Sequence, residues 1–228
     1  MTATTEEKHI VKILQTEFIT HNVKQIKVEK PTGYKFKPGQ ATDVSINQPA
    51  LKDEKRPFSF TSLNEWDYLE FTIKIYNDHQ DVTNELGKLV AEDELILHSV
   101  FGAINYFGEG VFIAGGAGVT PFIAILRQLQ QQDKLRSNTL LFSNKMENDI
   151  ILKNEFTAML GSHFINTLTN ERTSAYDNSI IDEKYLKEKI NDFSQYFYLC
   201  GPDAMVENIH HHLIKLGADK ARIIVEQF

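Results

Sequence analysis

The chain has one cysteine, Cys200, among its 228 residues. A lone thiol has no partner for an intramolecular disulfide, and it excludes a four-cysteine iron–sulfur cluster or zinc site within this chain. A Lys/Arg-rich run is also missing. With 24 basic residues against 31 acidic ones the formal charge is −7, which argues against nucleic acid as the main partner. No apolar stretch approaches the ~20 residues that cross a bilayer, and the polar stretch from Met1 to His9 lacks a signal-peptide core. Internal repeats, low-complexity tracts and long linkers are absent too. The expectation is a soluble, reduced, cytoplasmic protein. What is present is 42% hydrophobic residues, enough to bury a real core in one large or two small domains.

The stretch that organises the rest is Val111-Phe112-Ile113-Ala114-Gly115-Gly116-Ala117-Gly118-Val119-Thr120-Pro121-Phe122. Four apolar residues predict a short buried strand. Three glycines in four positions then allow a sharp turn and close approach of backbone to a ligand. Thr120 followed by Pro121 predicts a helix start with Thr120 as N-cap. Strand, turn and helix start together direct amide N–H groups at one point, as a phosphate site requires. The spacing is not G-x-G-x-x-G, and a glycine turn alone is often only a tight connection.

Before this stretch the pattern is β-like. Strands are predicted over 10–20, 23–29, 42–46, 58–62, 68–76 and 94–99, separated by turn signals such as Pro31-Thr32-Gly33 and Lys37-Pro38-Gly39. Six strands without helical periodicity predict a small, nearly closed antiparallel barrel. The exception is 81–90, where Thr83 reads as an N-cap and Leu86, Leu89 and Val90 form an apolar face. Arg56-Pro57-Phe58-Ser59 is the informative tetrad: a guanidinium fork for phosphate, an aromatic surface and a hydroxyl. The plainer reading is an exposed strand start.

After Pro121 the period changes to alternating helices (122–132, 150–160, 182–190, 203–216) and strands (139–143, 164–169, 196–200, 223–225). That alternation predicts a doubly wound α/β unit, a five-stranded parallel sheet covered on both faces. Ligands of such sheets lie beyond the carboxyl ends of the strands. The turns there are 115–120, 144–147, 169–172 and 201–205, which makes Asn144, Lys145, Arg172, Gly201, Pro202 and Met205 candidates. The expected division is a barrel domain over 1–105 and an α/β domain over 106–228. Cys200 reads either as a small core residue or as a compact side chain beside a reacting ring. His210, His211 and His212 point roughly 100° apart on a helix and do not converge on a metal. Trp66 reads as a packing residue at a hairpin.

The order Arg-x-aromatic-Ser, Gly-Gly-Ala-Gly-Val-Thr-Pro, Cys-Gly-Pro, Glu-x-aromatic covers nearly the whole chain and resembles the ferredoxin–NADP reductase superfamily. It is most similar in plan to the compact bacterial flavodoxin/ferredoxin reductases without a fused iron–sulfur domain. The resemblance implies FAD in the barrel, with Arg56 and Pro57 at the pyrophosphate, Phe58 against the isoalloxazine and Ser59 near flavin N5. It implies further flavin or pyrophosphate contacts from Ile73, Lys74, Ile75 and Tyr76 and from Asp81, Val82 and Thr83. NAD(P)H phosphates would lie on Gly115, Gly116, Gly118, Val119, Thr120 and Pro121. Cys200, Gly201 and Pro202 would border the nicotinamide, with Phe228 stacked on the flavin and Glu226 nearby. Phe58 stands where the family more often has Tyr, and Thr83 where it often has Ser. The loop from Phe101 to Asn105 lacks the Gly-Pro-Phe-Gly form common in the family.

The implied activity is hydride transfer from NAD(P)H to flavin, followed by single electrons to a carrier such as ferredoxin or flavodoxin. Ser59, Cys200 and Glu226 are the implied catalytic residues, with no metal and with a monomer expected. A 2′-phosphate wants Lys or Arg beyond the second and third strands of the sheet, where Lys145 and Arg172 stand. Glu147 and Glu171 dilute that field, and the balance tilts only slightly to NADP. Two other readings stay open: a flavin reductase or oxygenase reductase component, and a non-catalytic flavin and dinucleotide redox sensor.

Overall fold

A computed structural model describes residues 8–76, 82–102 and 104–226. The expectations for Asp81 and Phe228 lie outside the described residues.

The first half holds β1 (His9–Phe18), β2 (Val23–Glu29), β3 (Ala41–Ile46), β4 (Arg56–Ser59), β5 (Tyr68–Lys74) and β6 (Glu94–Phe101). They form one sheet in the order β4-β3-β6-β1-β2-β5, antiparallel throughout. A bridge between Phe60 and Phe71 brings the two sheet edges together, so the sheet curls into a nearly closed barrel. Alternation produces the inside: Val11 and Ile13 are buried while Ile10, Lys12 and Leu14 between them are exposed. The interior is filled by Ile26, Val44, Phe60, Leu69 and Phe71, among others. Pro57 is tolerated within β4 because β4 is an edge strand.

The second half holds β7 (Gly110–Gly115), β8 (Thr139–Asn144), β9 (Phe164–Leu168), β10 (Tyr196–Cys200) and β11 (Ile223–Val225). The order is β11-β10-β7-β8-β9, all parallel. Both faces are apolar because alternate residues of one strand serve opposite layers. Phe112 and Ala114 face the layer of α2 (Thr120–Gln131) and α3 (Lys153–Leu160), against Phe122, Ile125 and Phe156. Val111 and Ile113 face the layer of α4 (Glu183–Lys189) and α5 (Asp203–Lys215), against Leu186, Ile209 and Leu213.

Three local expectations are corrected. Thr120 is not an N-cap: a 3-10 turn over Gly116–Val119 precedes α2, Val119 takes the cap position, and no side chain caps it. Nor is Thr83 a cap, since α1 (Val82–Lys88) has already begun one residue earlier and Thr83 is buried within it. The helix expected from Ile150 starts only at Lys153, because Glu147–Asp149 forms a 3-10 turn and Leu152 sits in the left-handed region at φ 51°.

Candidate active site

β7 is the first strand of its sheet yet lies at its centre, with β10 on one side and β8 on the other. The chain therefore leaves the carboxyl ends of β7 and β10 in opposite directions, which opens a crevice where ligands of such sheets bind. Ala114 is in register with Cys200, so the turn after β7 meets the turn after β10 directly. Gly118 is required there. A Cβ would collide with the carbonyl of Cys200 and the Cα of Gly201, both backbone. Gly116 is required for a different reason, since its φ is +53°, and the space beyond it is open.

The barrel supplies the opposite wall. The crevice between the two walls encloses about 640 Å³, within the range of small-molecule and cofactor sites. Pro57, Phe58, Ser59, Ile73, Lys74, Tyr76 and Thr83 line its barrel side. Gly115, Gly116, Gly118, Thr120, Asn144 and Lys145 line the other side, with Cys200, Gly201, Pro202, Met205 and Glu226. These eighteen residues were all singled out in the sequence and are brought together.

Other candidates stand apart. Arg56 opens β4 just outside the wall, and its Nη1 donates to the carbonyl of Lys55 at 2.8 Å. Ile75 and Val82 belong to the barrel core, where Ile75 packs on Gly87. Val119 and Pro121 are buried in the α2 layer. Arg172 donates from Nε to Asn178 Oδ1 at 3.0 Å, away from the crevice. Ala117 and Thr169, within the turns expected to meet a ligand, also line the crevice, and Thr72, Ser143 and Asp149 line it and were missed. Thr72 lies two residues before Lys74 on β5, so strand periodicity carried a signal for it.

Two features suit the site to a polar ligand. Asn144 is 4% exposed, and neither its Nδ2 nor its Oδ1 has a hydrogen-bond partner within the protein. A buried amide without partners costs ~1–3 kcal/mol, which a ligand in the crevice would recover. In the same crevice the Cys200 thiol donates to Glu226 Oε2 at 2.8 Å. Burial, reinforced by the charge of Glu226, pushes the Cys200 thiol far above its ordinary value. Burial likewise raises Glu226, and the thiol hydrogen bond only partly offsets it. The pair is a largely buried, weakly acidic corner with the thiol as donor. Together the phosphate-directed turn, the orphaned amide and the aromatic wall at Phe58 fit a dinucleotide and a flavin.

The comparisons with known proteins agree with that chemistry. An FAD-binding domain model matches residues 8–147, and an oxidoreductase NAD-binding domain model matches residues 112–211. The chain belongs to the oxidoreductases that carry an FAD-binding domain and an NAD-binding domain. Among relatives, this oxidoreductase is 26% identical over 216 residues to the reductase component of propane 2-monooxygenase from Rhodococcus jostii. That match covers 87% of this chain but 57% of the relative, so the chain spans little more than half of that protein. It is 24% identical to NADH-cytochrome b5 reductase 1 of Rattus norvegicus, covering 93% of this chain and 83% of the relative. The ferredoxin NADP+ reductase of Neisseria gonorrhoeae, solved with bound FAD and NADP, superposes with a TM-score of 0.82 at 20% identity. The superposition covers 96% of this chain and 97% of that one.

Among the described residues no helix is long and apolar enough to cross a membrane, and no three His, Cys, Asp or Glu side chains are grouped to hold a metal.

Proposed function

We propose that this chain is a reductase module that takes hydride from a nicotinamide nucleotide onto FAD and passes single electrons to a protein acceptor. The observation that carries the reading is one crevice bounded on one side by Phe58 and Ser59 and on the other by the glycine turn and the Cys200–Glu226 pair. FAD, when bound, supplies the exchange between two-electron and one-electron chemistry. The protein's part is binding, orientation and exclusion of water. Gly116, Gly118 and Asn144 receive phosphate and ribose groups. Phe58 offers a flat apolar surface and Ser59 a hydroxyl beside it. Cys200 and Glu226 keep the reacting corner dry and their shared proton in place. Replacing Ser59 by Ala or Cys200 by Ser is expected to slow the limiting rate of anaerobic flavin reduction, read by stopped-flow absorbance. Unchanged rates in both would refute their roles.

For the nucleotide, we read the crevice as favouring NADH. Support comes from the charges beyond β8 and β9. Lys153 is paired with Glu147 at 2.5 Å, Arg172 is held by Asn178, and Asp149 lines the crevice. Among the described residues, Lys145 is then the one basic side chain of that edge in the wall, which Asp149 also lines, and this makes a poor seat for a 2′-phosphate. The acceptor is read from relatives, which include the reductase component of propane 2-monooxygenase and the electron transfer component of toluate 1,2-dioxygenase. Free flavin is the competing acceptor. Saturable reduction of a protein carrier at submicromolar enzyme, faster than reduction of free flavin, would support the first reading, and the reverse order would overturn it.

A further inference from the structure

Arg127 lies on α2, on the far side of that helix's second turn from the glycine turn, and the crevice does not use it. Its guanidinium nevertheless joins both halves of the molecule. Nη1 donates to Glu70 Oε1 at 2.6 Å and to the carbonyl of Thr61 at 2.7 Å, both on the barrel. Nε and Nη2 take both oxygens of Glu155 on α3 at 2.5 and 2.8 Å, a bidentate fork. The guanidinium carbon lies 5.2 Å over the ring of Trp66, a cation–π contact on a tryptophan that also packs against Tyr68. The side chains of Arg127 and Glu70 are 10% and 3% exposed. Burial alone would weaken the arginine's charge, but the hydrogen bonds of Glu155 and the charge of Glu70 outweigh it and hold it raised.

The placement is what matters. Glu70 is on β5, two residues before Thr72, and Thr72 and Lys74 of the same strand line the crevice. Thr61 Oγ1 donates to Glu70 Oε1 at 2.9 Å, and Thr72 Oγ1 donates to Thr61 Oγ1 at 3.3 Å. A continuous chain of hydrogen bonds therefore runs from the crevice wall through the barrel to Arg127. From Arg127 the helix leads back to the glycine turn in seven residues, ~10 Å of rise. Buried charge triads add little net stability compared with apolar packing, and their attested use is to select one arrangement of the parts they join.

We propose that Arg127 is a positioning residue: with Glu70 and Glu155 it locks the α/β sheet against the barrel at the angle that sets the nicotinamide against the flavin. This rests on the reductase reading above. A rotation of about 6° acting over ~10 Å displaces a bound ring by ~1 Å, a misplacement that costs on the order of 100-fold in rate.

The test uses the full chain with Arg127→Met/Glu70→Gln, which removes both buried charges together, and Arg127→Lys, which keeps the charge and loses the fork. Flavin content, nucleotide Kd and the limiting rate of anaerobic flavin reduction are measured. Flavin and nucleotide binding are expected within about threefold of the parent, with the limiting rate down about 10- to 100-fold in the double variant and less in Arg127→Lys. A limiting rate within twofold of the parent, in a double variant that keeps its flavin, overturns the proposal. A second readout is independent of activity: spin labels at Lys52→Cys and Glu207→Cys, both exposed positions on opposite halves. Their distance distribution by pulsed electron resonance is expected to broaden in the double variant, and an unchanged distribution overturns the lock. A parent protein that binds no FAD would instead refute the reductase reading, with the spin-label result still deciding whether Arg127 fixes the two halves.

Discussion

Gly118→Ala separates a turn shaped for a ligand from one that is merely short. The added Cβ would meet the carbonyl carbon and oxygen of Cys200 and the Cα of Gly201. None of these is the end of a flexible side chain, so the turns after β7 and β10 must part. Overpacking of this kind costs ~1–3 kcal/mol, and the backbone obstruction places Gly118→Ala at the upper end, about 2–3 kcal/mol. For a chain of this size that is a fall in Tm of roughly 5–10 °C. Gly116→Ala is the control. Its Cβ meets nothing within 4 Å, so it bears only the left-handed backbone cost, ~1 kcal/mol. Thermal unfolding of flavin-free full-length protein, followed by circular dichroism, gives the stability order, and isothermal titration with NADH gives the affinity. Nucleotide affinity should fall in both variants, and Gly118→Ala should be the less stable. A Gly118→Ala protein that unfolds within about 1 °C of the parent would show that the two turns are not interlocked, and the argument from the crevice floor would fail.

Three further outcomes follow from the same structure. Glu226 titrates higher in the folded chain than in the unfolded one because it is buried. Its contribution is therefore present in full below the usual carboxylate value and lost as pH rises through the raised one. The Tm advantage of the parent over Glu226→Gln should shrink as pH rises above the usual carboxylate value, and a pH-independent difference would contradict this. Lys24 donates from Nζ to the carbonyls of Gly87 and Leu89 at 2.9 and 2.5 Å, tying the end of α1 to the barrel. Lys24→Met should cost about 2 kcal/mol and speed amide exchange in α1, both absent if the tie is idle. Glu171 Oε2 accepts from the backbone N–H of Glu147 at 2.7 Å, which joins the turns that follow β8 and β9. Glu171→Gln should raise kcat/KM for NADPH about tenfold and leave that for NADH nearly unchanged, since one carboxylate near a 2′-phosphate is worth ~1–2 kcal/mol.

The legible parts of the sequence were those where one local rule decides the outcome. Alternating Val11, Ile13 and their exposed neighbours marked the barrel, and the change of period after Pro121 marked the parallel sheet. The glycine turn and Cys200-Gly201-Pro202 sat at strand ends, where topology alone sends them to one crevice. Capping was misread where a 3-10 turn took the place of the expected cap, as at Thr120, because propensity does not distinguish Gly116–Val119 as turn from Gly116–Val119 as helical approach. Arg172 was misplaced because its partner, Asn178, is decided by loop geometry. Arg127 gave no signal, since its meaning lies in contacts with Thr61, Glu70 and Trp66, more than 50 residues away.

Under the proposed function the crevice brings a flavin and a nicotinamide together. The direct measurement is the visible spectrum of the full-length protein after incubation with FAD and removal of the excess, recorded anaerobically before and after NADH or NADPH. One bound flavin per chain, bleached rapidly by NADH and much more slowly by NADPH, is the expected result. A protein that retains no FAD, or whose flavin neither nucleotide bleaches, would contradict the account.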